Sequence, residues 1–166
     1  RKRAIDNLVT IGKKAITSDL TDALITALHH RHQMIRKGAR DVLGNIGIKT
    51  GSPQLINLLI DALQAEDSYI REGACYALGK IGNKTATKEM INALLNALHD
   101  EDSYTRTGAC NALAMIGNNM STKEMIDDLL NALRDKDTQI REKACVALGN
   151  IGGKQALSKK VIDTLI

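Results

Sequence analysis

The dipeptide Ile-Gly recurs at 11–12, 46–47, 81–82, 116–117 and 151–152, each step being 35 residues. Arg36, Arg71, Arg106 and Arg141 keep the same step, and so do Leu28, Leu63, Leu98 and Leu133. Cys75, Cys110 and Cys145 keep it too, and no insertion or deletion breaks the register across 166 residues. A fixed period in this range means stacked copies of one supersecondary unit, so it decides the fold class ahead of any local propensity.

Each period reads as two helices. In "KEMINALLNALHD", Ile91, Leu94, Leu95 and Leu98 fall at i, i+3, i+4 and i+7, one apolar stripe on a helix that we call A. Ser52, Thr87 and Thr122 occupy its N-cap column, where a hydroxyl takes an orphan backbone N–H. Pro53 stands at the first helical position, where its missing N–H is no loss. After a short acidic turn comes helix B, "YIREGACYALGKIG", with Ile70, Ala74, Ala77, Leu78 and Ile81 on one face. Gly82 is expected to end it in the left-handed conformation, with Gly12, Gly47, Gly117 and Gly152 doing the same in the other copies. Small residues at Gly79, Ala114 and Gly149 predict close helix packing.

A two-helix unit cannot bury its stripe alone, but stacked copies share a continuous core. With no Phe or Trp in the chain, that core must be aliphatic. The expected architecture is therefore all-α: a right-handed α-solenoid of stacked two-helix repeats with a 35-residue period, forming a single solenoid over 1–166. Its units are 17–51, 52–86, 87–121 and 122–156, flanked by a helix B alone at 1–16 and a helix A alone at 157–166. Arg1 aligns with Arg36 and Ile166 with Asn131, so the expectation is a piece of a longer array. Uncapped end units would expose apolar surface and favour end-to-end self-association.

"DSYIREGACYALGKIGNK" followed by "MINALLNAL" resembles HEAT repeats, in particular the short phycobilisome-lyase-type variety. The shared pattern is Asp in the turn, an aliphatic-Arg pair opening helix B, then A-x-x-A-L-G-x-I-G, and it covers essentially the whole chain. The signatures of tetratricopeptide and ankyrin repeats are missing. The period is shorter than that of long HEAT units, and some strings also resemble arrays appended to large signalling NTPases. The resemblance implies that helix B lines the concave side. It also implies that the Arg column pairs with turn carboxylates in a ladder between units, drawing on Asp67, Asp102 and Asp137 or on Asp100 and Asp135. That ladder is expected to be weakest around His30 and His32, where the carboxylates are replaced.

The stretch "HHRHQMIRKGAR" (29–40) holds three of the chain's four histidines. Aligned on the period, His29 matches Gln64, His99 and Arg134, while His32 matches Asp67, Asp102 and Asp137. It reads as a divergent inter-helix turn rather than a zinc site, which needs three or four converging ligands. Neighbouring cysteines in a solenoid sit one helix spacing apart, ~8–10 Å, beyond disulfide reach of ~7 Å. They read as small buried thiols in a reducing, cytoplasmic setting. No metal and no cofactor is expected.

No catalytic constellation is present: there is no G-x-S-x-G and no phosphate-cradling glycine loop. HEAT-like hydroxylases bind iron through His-Glu pairs, and no histidine here precedes Glu. No apolar run approaches a membrane span of about 20 residues, so no membrane association is expected. Net charge is +4 and uneven: residues 1–50 carry ten Lys and Arg against four Asp and Glu, giving +6, and the remainder carry thirteen against fifteen, giving −2. A general nucleic-acid binder more often spreads basic residues along one whole face.

These features point to a non-catalytic scaffold that binds a protein or peptide on the helix-B, concave face. The alternatives are a nucleic-acid-binding solenoid using the basic first third, or a bilin-lyase-like or other HEAT-repeat enzyme subunit. On helix B the columns outside the core stripe vary between copies while the core columns hold. The candidate contact residues are Tyr69, Glu72, Tyr76 and Lys80, then Tyr104, Thr107, Asn111 and Met115, and finally Val146. All three tyrosines of the chain are among them.

Overall fold

The computed structural model describes residues 18–117 and 122–152. Within them are eight α-helices: α1 (Ser18–Leu28), α2 (Gln33–Thr50), α3 (Pro53–Ala62), α4 (Ser68–Thr85), α5 (Lys88–Ala97), α6 (Ser103–Gly117), α7 (Lys123–Ala132) and α8 (Thr138–Gly152). No strand occurs among the described residues. The odd-numbered helices are the A helices and the even-numbered ones the B helices of successive units. The partial units expected at 1–16 and 157–166 lie outside the described residues.

Local chemistry sets each helix start. Ser52 Oγ accepts from the Leu55 N–H at 3.3 Å, Thr87 Oγ1 from Met90 at 3.3 Å and Thr122 Oγ1 from Met125 at 3.1 Å. Such side chains satisfy first-turn donors that have no partner within the helix. The B helices are capped by aspartate. Asp67 Oδ1 accepts from Tyr69 N–H at 2.7 Å, Asp102 Oδ1 from Tyr104 at 2.9 Å and Asp137 Oδ1 from Gln139 at 2.8 Å. His32 fills this position before α2 and makes no side-chain cap bond.

The apolar stripes converge on one aliphatic core. Leu28, Leu59, Leu78, Leu94, Leu113, Met125 and Ile140 are all fully buried. The B helices pack on one another, α2 on α4, α4 on α6 and α6 on α8, far more extensively than the A helices do. Gly79 brings the backbones of α4 and α6 together, since a Cβ there would lie 2.5 Å from the Cα of Ala112 on α6. Ala114 is buried in the same column, whereas nothing lies within 4 Å of a Cβ built on Gly149.

Gly47 and Gly82 do a different job from the one expected, while Gly12 lies outside the described residues. α2 continues through Gly47 to Thr50, and α4 through Gly82 to Thr85. The positive-φ residue among those described is Gly51, at φ 57°. Gly47 and Gly82 lie within helices because each is a socket. A Cβ on Gly82 would meet Ile116 Cδ1 at 2.7 Å, and a Cβ on Gly47 or Gly117 would strike Ile81 or Ile151. Ile81, Ile116 and Ile151 therefore fill the spaces left by Gly47, Gly82 and Gly117. Ile81 and Ile116 are completely buried there.

Candidate functional site

The arginine column at the start of the B helices organises the surface. Each guanidinium turns Nη1 back to carbonyls of its own inter-helix turn. Arg71 donates to Ala65 O at 2.7 Å and Glu66 O at 2.9 Å, and Arg106 to Asp100 O and Glu101 O, both at 2.9 Å. Arg36 makes the equivalent bonds to His30 O and Arg31 O, and Arg141 to Asp135 O and Lys136 O. These bonds serve carbonyls left unpaired where the A helix ends.

The other edge of the guanidinium reaches the next unit. Arg71 Nη2 donates to Asp100 Oδ1 at 2.9 Å, while its Nε lies 2.9 Å from Oδ2 and donates to Thr105 Oγ1 at 3.3 Å. Arg106 Nε and Nη2 grip Asp135 at 2.8 and 3.2 Å. Arg71 and Arg106 are only 8% and 6% exposed, and a charge so buried is tolerated only when paired and hydrogen-bonded. Each aspartate also accepts a backbone N–H two residues on, at 2.8 Å. Burial raises the Asp135 carboxyl, but the Asp137 N–H and the Arg106 guanidinium outweigh it and hold it below the usual carboxylate range. The ladder therefore uses Asp100 and Asp135, while Asp67, Asp102 and Asp137 are spent as helix caps.

Each rung joins an arginine to the residue 29 positions later: Arg71 to Asp100, Arg106 to Asp135. For Arg36 that residue is Ala65. A gap therefore falls at Ala65; the arginine that would meet His30, one unit earlier, is Arg1, which lies outside the described residues. Lacking a carboxylate, Arg36 stacks on Tyr69, its Cζ 4.0 Å from the ring centroid. Tyr69 leans on Tyr104 with centroids 5.7 Å apart. Beside this row opens a cleft of ≈ 180 Å³ lined by Gln33, Arg36, Lys37, Arg40, Tyr69, Glu72 and Tyr104. One wall is cationic, one aromatic. Glu72 pairs with Arg40 across the cleft, and Arg40 Nε is buried without a hydrogen-bond partner.

The candidate contact residues divide into two groups. Tyr69, Tyr104 and Val146 are exposed at 38%, 57% and 49%. Thr107, Asn111 and Met115 on α6 are half-buried. Glu72, Tyr76 and Lys80 face back toward α2. Tyr76 donates its hydroxyl to Asp41 at 3.0 Å, Lys80 Nζ lies 3.3 Å from the same carboxylate, and Arg40 sits 4.5 Å above the Tyr76 ring. Burial, followed by the bond to Asp41, raises the Tyr76 phenol above its ordinary value. These three side chains brace α4 against α2, whereas Tyr69 and Tyr104 border the cleft.

The sequence pattern of the family described as HEAT repeats matches residues 21–91 and 91–165. The chain belongs to the HEAT-repeat family. Among solved structures, this HEAT array is similar to the CpcE–CpcF complex of phycocyanin lyase from Nostoc sp. PCC7120, at TM-score 0.60 and 24% identity over 87% of this chain and 57% of that one. It is similar to human deoxyhypusine hydroxylase in complex with glycerol, at TM-score 0.59 and 22% identity over 84% of this chain and 46% of that one. It is also similar to a designed armadillo repeat protein in complex with peptide (KR)4, at TM-score 0.57 and 18% identity over 99% of this chain and 79% of that one. No curated protein matches by sequence. At these identities the likeness shows the fold.

The histidines of the HEAT array serve the turn. His30 Nδ1 accepts the His32 N–H at 3.0 Å, the role Asp100 and Asp135 play in later copies. The His30 and His32 rings stack with centroids 5.3 Å apart, and His29 reaches across to Asp67. Among the described residues no three His, Cys, Asp or Glu side chains converge as a metal cluster would. Cys75 and Cys110 are buried free thiols, but Cys145 is exposed, contrary to expectation for that column. Burial drives the Cys110 thiol up to about 12, with Asp135 adding to it, and raises Cys75 further, with Glu72 and Asp100 adding. Sequence reasoning missed Gln33, Arg36, Lys37 and Arg40 as cleft residues. The signal was there in the alanine that breaks the aspartate column at position 65.

Proposed function

We propose that this HEAT array is a non-catalytic recognition scaffold that binds a protein or peptide on its B-helix face. The observation that carries the reading is the exposed Tyr69–Tyr104 pair with Arg36 stacked on it at the edge of a cleft. Tyr and Arg are enriched at interfaces, where they offer large contact area together with polar bonding. The tight approach of the B helices at Gly79, against the sparse contact between A helices, supports placing this face on the concave side. The designed armadillo relative bound to a peptide supports the kind of ligand. Three free cysteines suit a reducing compartment, and we place the protein in the cytoplasm. No described helix is long and apolar enough to cross a membrane.

The test is a selection from a random peptide library, followed by affinity measurements on Tyr69→Ala/Tyr104→Ala. Helicity and melting should be nearly unchanged, because both rings are exposed. Affinity should fall by ~2 kcal/mol or more if these are hot spots. If affinity holds, and changes to Asn57, Asp61 or Asn96 on the A helices abolish it instead, the other face does the binding.

A further inference from the structure

We infer that the cleft at Arg36 takes a carboxylate side chain of the partner, an Asp or Glu in an acidic peptide segment, held by the arginine that Ala65 leaves without a rung. This rests on the recognition role proposed above and names the chemistry that the site selects.

The two complete rungs show what the arginine column is built to hold. In both, Nη1 is committed to the turn carbonyls, while the Nε–Nη2 edge lies against one carboxylate, doubly hydrogen-bonded in Arg106 and through Nη2 in Arg71, whose Nε donates to Thr105. Arg36 has the same committed Nη1, with bonds to His30 O and Arg31 O at 2.9 and 3.2 Å. It has no rung aspartate, since the position 29 residues on is Ala65. The backbone there matches the complete rungs. Ala65 N–H bonds to Ala62 O at 3.3 Å, as Asp100 does to Ala97 O at 3.4 Å and Asp135 to Ala132 O at 3.2 Å. What the unit lacks is the carboxylate alone.

The surroundings favour an anion with an apolar neighbour. Lys37 and Arg40 line the same cleft. Arg40 has one paired nitrogen and one buried nitrogen without a partner. Charge-assisted, two-pronged bonds from arginine to carboxylate are among the stronger hydrogen bonds in proteins. Tyr104, 57% exposed, offers a flat surface for the residue next to the acid. A nucleic-acid strand fits less well. The net positive charge lies at the start of the chain, where residues 1–50 carry +6 and the rest −2. A phosphate backbone needs a longer cationic track.

The experiment uses a peptide array in which every sequence appears in a Glu form and a Gln form, probed with the whole chain. Wild type should bind the Glu forms about tenfold or more tightly than the Gln forms, as expected for a charge-assisted pair. Ala65→Asp supplies the missing rung from within. It should raise the urea midpoint and remove the preference for Glu. Arg36→Gln should remove the preference without relying on the new rung, so the idea stays testable should Ala65→Asp misfold. Equal binding of Glu and Gln forms that is still lost in Tyr69→Ala/Tyr104→Ala overturns the carboxylate assignment and leaves the scaffold reading standing. Binding to no peptide overturns both. Salt-sensitive binding of single-stranded oligothymidylate that displaces the acidic peptides and is lost in Arg36→Gln overturns the assignment in favour of a nucleic acid.

Discussion

Replacing Gly79 by alanine isolates the approach of α4 to α6. Two opposed terms set the outcome. An alanine in mid-helix is favoured over glycine by about 1 kcal/mol. Against this, the new methyl would lie 2.5 Å from the Cα of Ala112 and 2.8 Å from its Cβ. Carbon atoms rest at about 3.5–4.0 Å, so the helices must part by roughly 1 Å. The obstacle is backbone, which cannot turn aside as a side-chain end can. Parting the helices also loosens Ala77, Leu78, Ala109 and Leu113, each fully buried. Overpacking of this kind costs about 1–3 kcal/mol, and with backbone in the way the upper end applies, leaving a net loss of about 2 kcal/mol. Gly38→Ala is the matched control. It sits within α2, and a methyl added there would meet nothing inside 4 Å, so the propensity gain stands alone. Urea titrations followed by far-ultraviolet circular dichroism should therefore move the two midpoints in opposite directions. A Gly79→Ala variant as stable as Gly38→Ala would refute the argument that backbone contact sets the spacing of the B layer.

Asp135 carries a pH signature. Its native carboxyl titrates below the ordinary value, so the Arg106 rung is intact above about pH 4 and fades as pH falls through the native value. Between about pH 5 and about pH 3 the wild-type urea midpoint should fall further than that of Asp135→Asn; equal slopes would remove Asp135 from the account. The thiols should separate by burial. At about pH 8 a thiol titrating near 12 is about one part in ten thousand thiolate, so Cys110, and still more Cys75, should react with a disulfide reagent only on unfolding. Exposed Cys145 should give one fast phase that Cys145→Ser abolishes.

The period made the helices and the core legible, because burial repeats where the pattern does: Leu78 and Leu113 stand one step apart and both are sealed. Glycine was misread because two physical demands select the same residue. A left-handed turn and a close neighbour both exclude a Cβ, and only the packing of Ile81 against Gly47 tells them apart. The aspartates were ambiguous for a similar reason. Capping and ion pairing both require a carboxylate in the turn, and the choice depends on which carboxylate the next unit brings within reach of the guanidinium. The bracing of Tyr76 and Lys80 against Asp41 was hidden because it depends on the spacing between B helices. Cys145 shares its column with two sealed cysteines yet is open, since a column fixes a residue's orientation but not what lies over it.

The Ile-Gly dipeptide carries both halves of one joint. The isoleucine plugs into the unit before it, and the glycine receives the isoleucine of the unit after it. A DNA segment encoding any whole number of periods thus brings its own plug and its own receptacle. Duplicating such a segment, or deleting it, joins surfaces that already match and needs no compensating change at the junction. Such an array can lengthen or shorten by recombination as readily as by point substitution. Its reach is then a heritable variable separate from the chemistry of any one cleft.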